Sequence, residues 1–311
     1  MVSFMKYLCV ALSFLAASVI SGCTRETDSM EPGVLVSAEW LLNHSQDPGL
    51  VLLHSGTAEL FDTLHIPGAR LIDPYSFTVN TERNRNEMPP VDSIVDLLRK
   101  AGVNQDSRIV LYHEDIGLLN RTARVFLTLD HLGLGGQTVV LSGGLTAWLE
   151  EGYETADVLT DFPAGNFEVI EVKETFITAA ELDQQRWSNR QVLIDARSDE
   201  EYYGALESEE DTLEGGHIEG AYSLSFLKLT YDDSPYLFKS DIELVELFSR
   251  TEMDPAKVSL LYCNSGIKGS LNYLTARHLG YPVLLYDGSY EEWEELDMPV
   301  TRPVLIPDKR E

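Results

Sequence analysis

Val258-Ser-Leu-Leu-Tyr-Cys-Asn-Ser-Gly-Ile-Lys-Gly-Ser270 is the stretch on which the reading of the whole chain turns. Val258 to Tyr262 is short, β-branched and aliphatic, the pattern of a buried strand, and it ends on a cysteine followed by small and polar residues. From Gly269 a helical spacing takes over: Leu271, Leu274, Thr275, His278 and Leu279 recur every three or four residues, and Gly280 supplies a stop. Cys263 is thus expected at the carboxyl end of a strand, facing a helix amino terminus and its unpaired N–H groups. Such a setting favours an anion and predicts a thiol pKa below its ordinary value of about 8.5.

Outward from this loop, one cycle of elements is read twice. In the first half Ser37 opens a short helix, Leu50 to His54 is a strand, and His65-Ile-Pro-Gly-Ala turns into Arg70-Leu-Ile. A helix over 92–100, a strand over 108–112, a helix over 120–132, a strand over 138–141 and a helix over 145–151 follow. In the second half Thr178-Ala-Ala-Glu181 carries a capping-box pattern, Val192 to Asp195 is a strand, and His217-Ile-Glu-Gly-Ala is the turn. Ser240 opens the next helix, and the cysteine strand, its loop and helix, Val283 to Tyr286 and Asp287-Gly-Ser-Tyr-Glu-Glu-Trp293 complete the cycle. Matching points lie roughly 140 to 150 residues apart, the mark of a duplication. Short aliphatic strands alternating with helices predict an α/β chain of two tandem domains, each a doubly wound, mainly parallel sheet with helices on both faces. Ligands on such sheets bind beyond the carboxyl ends of strands, where Cys263 falls.

Composition narrows the partners. The 311 residues suit two domains, and a hydrophobic fraction of 44% supplies their cores. Acidic side chains outnumber basic ones 51 to 23, for a formal charge of −28, with no basic face to neutralise phosphates, so no nucleic acid is expected as a partner. No metal site and no cofactor are read from the sequence. Residues 1–22, with Lys6 and the apolar run 8–20, read as a leader, and Ile20-Ser-Gly-Cys23 resembles the lipobox of bacterial lipoproteins. That resemblance implies cleavage before Cys23, its lipidation, and a membrane anchor through residues 23–33 as tether. The protein would then sit in the cell envelope, facing the periplasm or exterior. Cys9 would leave with the leader, making Cys263 the one free thiol of the mature chain. The remaining boundaries are expected at 34–155 for the first domain, 156–172 for a linker, 173–302 for the second domain and 303–311 for a tail.

Taken together the motifs resemble the two-domain rhodaneses, the thiosulfate and 3-mercaptopyruvate sulfurtransferases. The resemblance rests on His65-Ile-Pro-Gly-Ala-Arg, Gly216-His-Ile-Glu-Gly-Ala, Asp195-Ala-Arg-Ser-Asp-Glu-Glu-Tyr202, Ser142-Gly-Gly-Leu-Thr-Ala-Trp148, the Cys-x-x-Gly-x-Lys loop and Tyr286-Asp-Gly-Ser-Tyr-Glu-Glu-Trp293. It implies that the Cys263 thiolate takes sulfur from a small anionic donor, becomes a persulfide and passes that sulfur to cyanide or a thiol. The N–H groups of Asn264, Ser265, Gly266, Ile267, Lys268 and Gly269 would curl around the sulfur, with Lys268 holding the donor's anionic group. Asp195 and Arg197 would brace the loop and the adjoining turn. The first half has Tyr112-His-Glu-Asp-Ile-Gly117 where the second has its cysteine loop, so it lacks the nucleophile and is expected to shape the cleft, with His113 structural or lining the pocket. His65 and His217 are expected to satisfy backbone groups. A substrate-binding arginine that animal-type members carry after the Asp-x-Arg element is Glu201 here. Two other readings compete: a phosphatase of related fold, which requires an arginine where this chain has Gly269, and a lipid-anchored binding or sulfur-carrier protein with a weakly active site.

Overall fold

Apolar runs and capping side chains set the elements of the computed structural model, which describes residues 33–204 and 215–302. The expected leader, Cys23, the tail 303–311 and all of the tether except Gly33 lie outside the described residues. The first repeat runs β1 (Leu35–Val36), α1 (Ala38–His44), β2 (Leu50–Ser55), α2 (Ala58–Phe61), β3 (Arg70–Ile72), α3 (Val91–Lys100), β4 (Arg108–His113), α4 (Leu119–His131), β5 (Thr138–Leu141) and α5 (Gly144–Glu150). The second runs β6 (Phe176–Ile177), α6 (Ala179–Gln185), β7 (Gln191–Asp195), α7 (Asp199–Tyr203), β8 (His217–Ile218), β9 (Tyr222–Ser223) and α8 (Asp241–Ser249). It closes with β10 (Val258–Tyr262), α9 (Ile267–His278), β11 (Val283–Tyr286), α10 (Ser289–Glu295) and β12 (Val300–Thr301). Capping boxes open α6 at Thr178 and α8 at Ser240, as their sequences predict, and a third opens α7 at Ser198 with Glu201. The cysteine helix α9 starts at Ile267, two residues before the spacing alone suggests, because Gly266 takes a left-handed φ of 82° and turns the chain directly into it.

The two five-stranded sheets have one topology, β1-β5-β4-β2-β3 and β6-β11-β10-β7-β9, and their strands pair in parallel throughout. β8 and β12 form a small antiparallel ribbon. Alternation along each strand sends side chains to two cores. Leu52, Val110 and Tyr112 meet α1 and α5 through Leu41, Leu145 and Trp148, while Val51, Leu53, Ile109 and Leu111 meet α3 and α4. In the second repeat Leu193, Leu260 and Tyr262 face α6 and α10, and Val192, Ile194 and Leu261 face α8 and α9. Helices therefore cover both faces of each sheet.

The α4 and α9 faces do not form separate cores. They meet, and Val125, Leu129, Leu271 and Leu274 belong to one continuous apolar cluster spanning both repeats. Burial of that seam is the main apolar contribution to holding the repeats together. Asp130, 1% exposed, adds a polar fastening: it accepts from Tyr273 Oη at 2.8 Å, Arg277 Nε at 2.7 Å and Lys173 Nζ at 3.1 Å. The expected linker 156–172 is mostly exposed but is anchored in its middle, with Phe167 1% exposed in the core and Gly165 N donating to Arg99 O at 2.7 Å. A side chain at Gly165 would collide with the Val103 backbone, which is why its interrupted pattern carries glycine.

Candidate active site

Cys263 follows β10 directly, at the carboxyl edge of the central strand of its sheet. Its main chain is tied down on both sides: its N–H donates to Ser289 Oγ at 3.2 Å, and its carbonyl accepts from Tyr290 N at 2.9 Å. The backbone N–H groups of Ser265 and Gly269, at opposite ends of the loop, act on the thiol and favour its anion. Gly266 is required for that arrangement: besides its positive φ, a Cβ there would sit 2.5 Å from Asp287 Oδ1 and 3.2 Å from Arg124 Nη1. Ser270 Oγ donates to Gly266 O at 2.7 Å, and the Asn264 carbonyl accepts from Glu291 N at 3.2 Å. Ile267 opens α9.

The sulfur is 1% exposed, and that corrects the expectation of a depressed pKa. Burial pushes the Cys263 thiol above its ordinary value, against the Gly269 and Ser265 N–H groups, the Lys268 charge and the Ser289 hydroxyl, which all pull it down. The helix terminus is present as read; removing the thiolate from water costs more than its donors return.

Lys268, expected to hold the donor's anionic group, already has a carboxylate partner. Its Nζ lies 3.0 and 3.1 Å from the two Glu201 oxygens and 5.6 Å from the centre of the Phe226 ring. Glu201 accepts in addition from Asn264 Nδ2 at 2.6 Å and Ser198 N at 2.8 Å. Burial pushes the Glu201 carboxyl up, but Ser198, Asn264 and Lys268 outweigh it and hold the group below the usual carboxylate range. Glu201 thus fixes two side chains of the cysteine loop to the start of α7, and much of the Lys268 field is cancelled where it stands.

Asp195 and Arg197, expected to brace the loop and the adjoining turn, lie beneath the loop. Arg197 Nη2 donates to Asp195 Oδ2 at 2.6 Å and to Gly216 O at 2.5 Å, and its guanidinium stacks 3.8 Å from the Tyr290 ring centre. Tyr262, the residue before the cysteine, donates its hydroxyl to Asp195 at 2.7 Å and accepts from Ile218 N at 3.0 Å. The loop is braced through Tyr262 and Tyr290, and the turn through Gly216. His217 Nδ1 donates to Tyr202 O at 3.1 Å and His65 Nδ1 to Phe61 O at 2.6 Å, so both satisfy backbone groups.

The first repeat has the same frame with different chemistry. His113 ends β4 as Cys263 follows β10, and Tyr112 accepts from Ile66 N at 3.2 Å just as Tyr262 does from Ile218. Gly144, with φ 55°, stands where the second repeat has Ser289 with φ 57°, and a Cβ there would meet the His113 ring at 2.7 Å. An imidazole and a glycine fill the space of a thiol and a serine. Both His113 nitrogens are buried without hydrogen-bond partners, and burial pushes its pKa down to about 4. A base buried neutral stabilises the fold above its unfolded pKa near 6.5, and that contribution is lost as pH falls through the folded value. Wild type should therefore lose about 3 kcal/mol between pH 6.5 and 4 that His113→Leu, with no proton to take up and no bond to break, does not. Urea unfolding of both at the two pH values measures it, and identical pH slopes would refute the assignment.

Sequence reasoning missed what the first repeat adds to the loop. A hairpin bridged at Val79 and Glu87 carries Asn86, whose Nδ2 donates to Ser265 Oγ at 3.0 Å. Arg124 of α4 holds Asn86 O at 3.0 Å and Asp287 Oδ1 at 2.5 Å, Arg121 holds Asn86 Oδ1 at 3.1 Å, and Arg85 pairs with Glu291. The left-handed Asn86, with φ 58°, is the one local signal, and only in a structure is it visible.

Comparison with known proteins places this geometry in context. The rhodanese-like domain family matches residues 37–151 and 178–296. The chain is 30% identical over 286 residues to the sulfur carrier protein TtuD of Thermus thermophilus, covering 85% of this chain and 95% of that protein. It is 28% identical over 281 residues to the thiosulfate sulfurtransferase of Corynebacterium glutamicum, covering 86% and 90% respectively. It is 26% identical to the 3-mercaptopyruvate sulfurtransferase of Escherichia coli, covering 85% and 96%. The crystal structure of SseA from Escherichia coli superposes with a TM-score of 0.70 at 25% identity, over 83% of this chain and 99% of that one.

Proposed function

This chain belongs to the rhodanese family as a tandem member, and from that premise we propose that it is a sulfurtransferase in which Cys263 carries the sulfur. The observation that carries this reading is the thiol acted on by the N–H groups of Ser265 and Gly269 at a strand-to-helix turn. In the first half-reaction the thiolate attacks the outer sulfur of thiosulfate; the donor S–S bond breaks, sulfite leaves with its electron pair, and Cys263 holds a persulfide. With 3-mercaptopyruvate the C–S bond breaks instead, and the leaving enolate takes a proton to become pyruvate. In the second half-reaction cyanide or a thiol attacks the outer sulfur, and the Cys263 thiolate returns. The loop N–H groups stabilise the anion in both states without rearranging.

A phosphatase is disfavoured by Gly269. It offers no guanidinium at the position where such enzymes grip phosphate with an arginine. A sulfur-carrier role is supported by the name of the Thermus relative and by the paired state of Lys268. The two separate on turnover: an enzyme discharges its persulfide to cyanide repeatedly, a carrier holds it for a specific acceptor protein. Purified protein incubated with thiosulfate or 3-mercaptopyruvate should gain the mass of one sulfur, removable by cyanide; no gain with either donor would overturn the sulfurtransferase reading.

We further propose lipidation at Cys23 and anchoring at the cell envelope, supported by the Ile20-Ser-Gly-Cys23 motif behind an apolar leader. Among the described residues no helix is long and apolar enough to cross a membrane. Cys23→Ala should move the protein from the membrane to the soluble extracytoplasmic fraction, and retention in the membrane would refute the anchor.

A further inference from the structure

A small anionic donor approaching Cys263 meets little free positive charge from the repeat that carries the nucleophile. Lys268 is paired with Glu201, Lys228 with Asp199, and Arg197 is buried with Asp195. The opposite repeat presents a cation of a different kind. Arg121, in the first turn of α4, is half-buried and stacks 4.4 Å from the Tyr75 ring centre. Its Nη1 donates to Thr78 Oγ1 and Asn86 Oδ1, both at 3.1 Å. Among the described residues it forms no close ion pair, although the Asp73 carboxylate acts on it from farther off, whereas Arg85 is paired with Glu291, Arg124 with Asp287 and Arg277 with Asp130. An unpaired guanidinium is conspicuous in a chain of formal charge −28, and Arg121 Nε and Nη2 make no bond to the described protein.

Its position connects it to the sulfur. Asn86, held by Arg121 through one end of its amide, donates the other end to Ser265 Oγ at 3.0 Å, and the Ser265 N–H acts on the Cys263 thiol. Two hydrogen bonds therefore separate the guanidinium from the residue that cradles the nucleophile. The free Nε and Nη2 edge is the planar fork that matches a carboxylate or the oxygens of a thiosulfate.

We propose that Arg121 recognises the anionic end of the sulfur donor, so that the repeat without a nucleophile supplies the binding charge for the repeat that has one. The proposal rests on the sulfurtransferase reading for its choice of ligand. Its test is made on binding alone: calorimetric titration of thiosulfate and of 3-mercaptopyruvate into Cys263→Ser protein with and without Arg121→Gln. Glutamine keeps an amide donor for Asn86 and removes the charge. Affinity for the donors should fall about tenfold or more, and Arg121→Lys should restore part of it. In the Cys263 protein Arg121→Gln should raise the donor KM by a similar factor, leaving discharge of a preformed persulfide to cyanide within about twofold. Equal donor affinity with and without the Arg121 charge would overturn the proposal, as would a parallel loss of discharge rate, which marks a role in shaping the loop. Failure of the Cys263 protein to gain sulfur would instead overturn the sulfurtransferase reading, and the binding comparison would still decide Arg121.

Discussion

Cys263→Ser is expected to fold like wild type and to lose sulfur transfer by more than about a thousandfold, with no persulfide by mass spectrometry. Serine differs by one atom, and the ties to Ser289 Oγ and Tyr290 N run through the main chain, which the substitution leaves alone. Its hydroxyl would face the same Ser265 and Gly269 N–H groups, but it forms no sulfur–sulfur bond. The same thiol sets the pH dependence. Only the thiolate attacks, and burial raises the thiol pKa, so the single-turnover rate of wild-type persulfide formation should climb with pH and not level off below about 8.5. Residual sulfur uptake by Cys263→Ser would place the nucleophile elsewhere; a plateau by neutral pH would mean that the donors around the sulfur outweigh its burial.

Arg197→Met is expected to be the most damaging substitution for stability. Asp195 and Arg197 side chains are 0% and 2% exposed, and removing the guanidinium strands a carboxylate beneath β10 with only Tyr262 Oη and the Arg197 N–H left to serve it. Breaking one side of a buried pair costs about 3–5 kcal/mol, or a fall of about 5–8 °C in unfolding midpoint for a chain of this size. The Gly216 carbonyl loses its donor as well, which adds to the cost. Asp195→Asn in the same chain removes the orphaned charge, so the double variant should lose less than the two single losses added together. Denaturant unfolding of the three variants measures this. A single-variant loss under about 1 kcal/mol would show that water reaches Asp195 and that the brace is not a buried ion pair.

How far the sequence carried can be judged from particular residues. The capping box at Thr178, the helix start at Ser240, the aliphatic runs of β4 and β10, and the turns at His65 and His217 are local, and each was legible because its physics involves neighbours a few residues away. The duplicated order of elements was legible for the same reason, applied twice. Asp195 and Arg197 were read as braces without their partners, since Tyr262, Gly216 and Tyr290 come from separate elements. The pairing of Lys268 with Glu201 was not legible, because Glu201 lies 67 positions away and no spacing rule connects a helix start to a loop in another βα unit. Asn86 and Arg121 were invisible: Asn86 reaches Ser265, with Arg121 holding Asn86, only because α4 and α9 bring the two repeats face to face.

By itself, then, the sequence determined the two parallel sheets and put a single cysteine at a strand-to-helix turn, because periodicity, capping and turn chemistry act over short separations. Tertiary structure alone decided the electrostatics of that turn. Whether a thiol is raised or lowered, and whether a lysine is free or spent, depends on how much water is excluded and which charges are folded against it. Those quantities arise from packing between distant segments, here a buried sulfur, a lysine paired with Glu201 and an unpaired arginine on the opposite repeat.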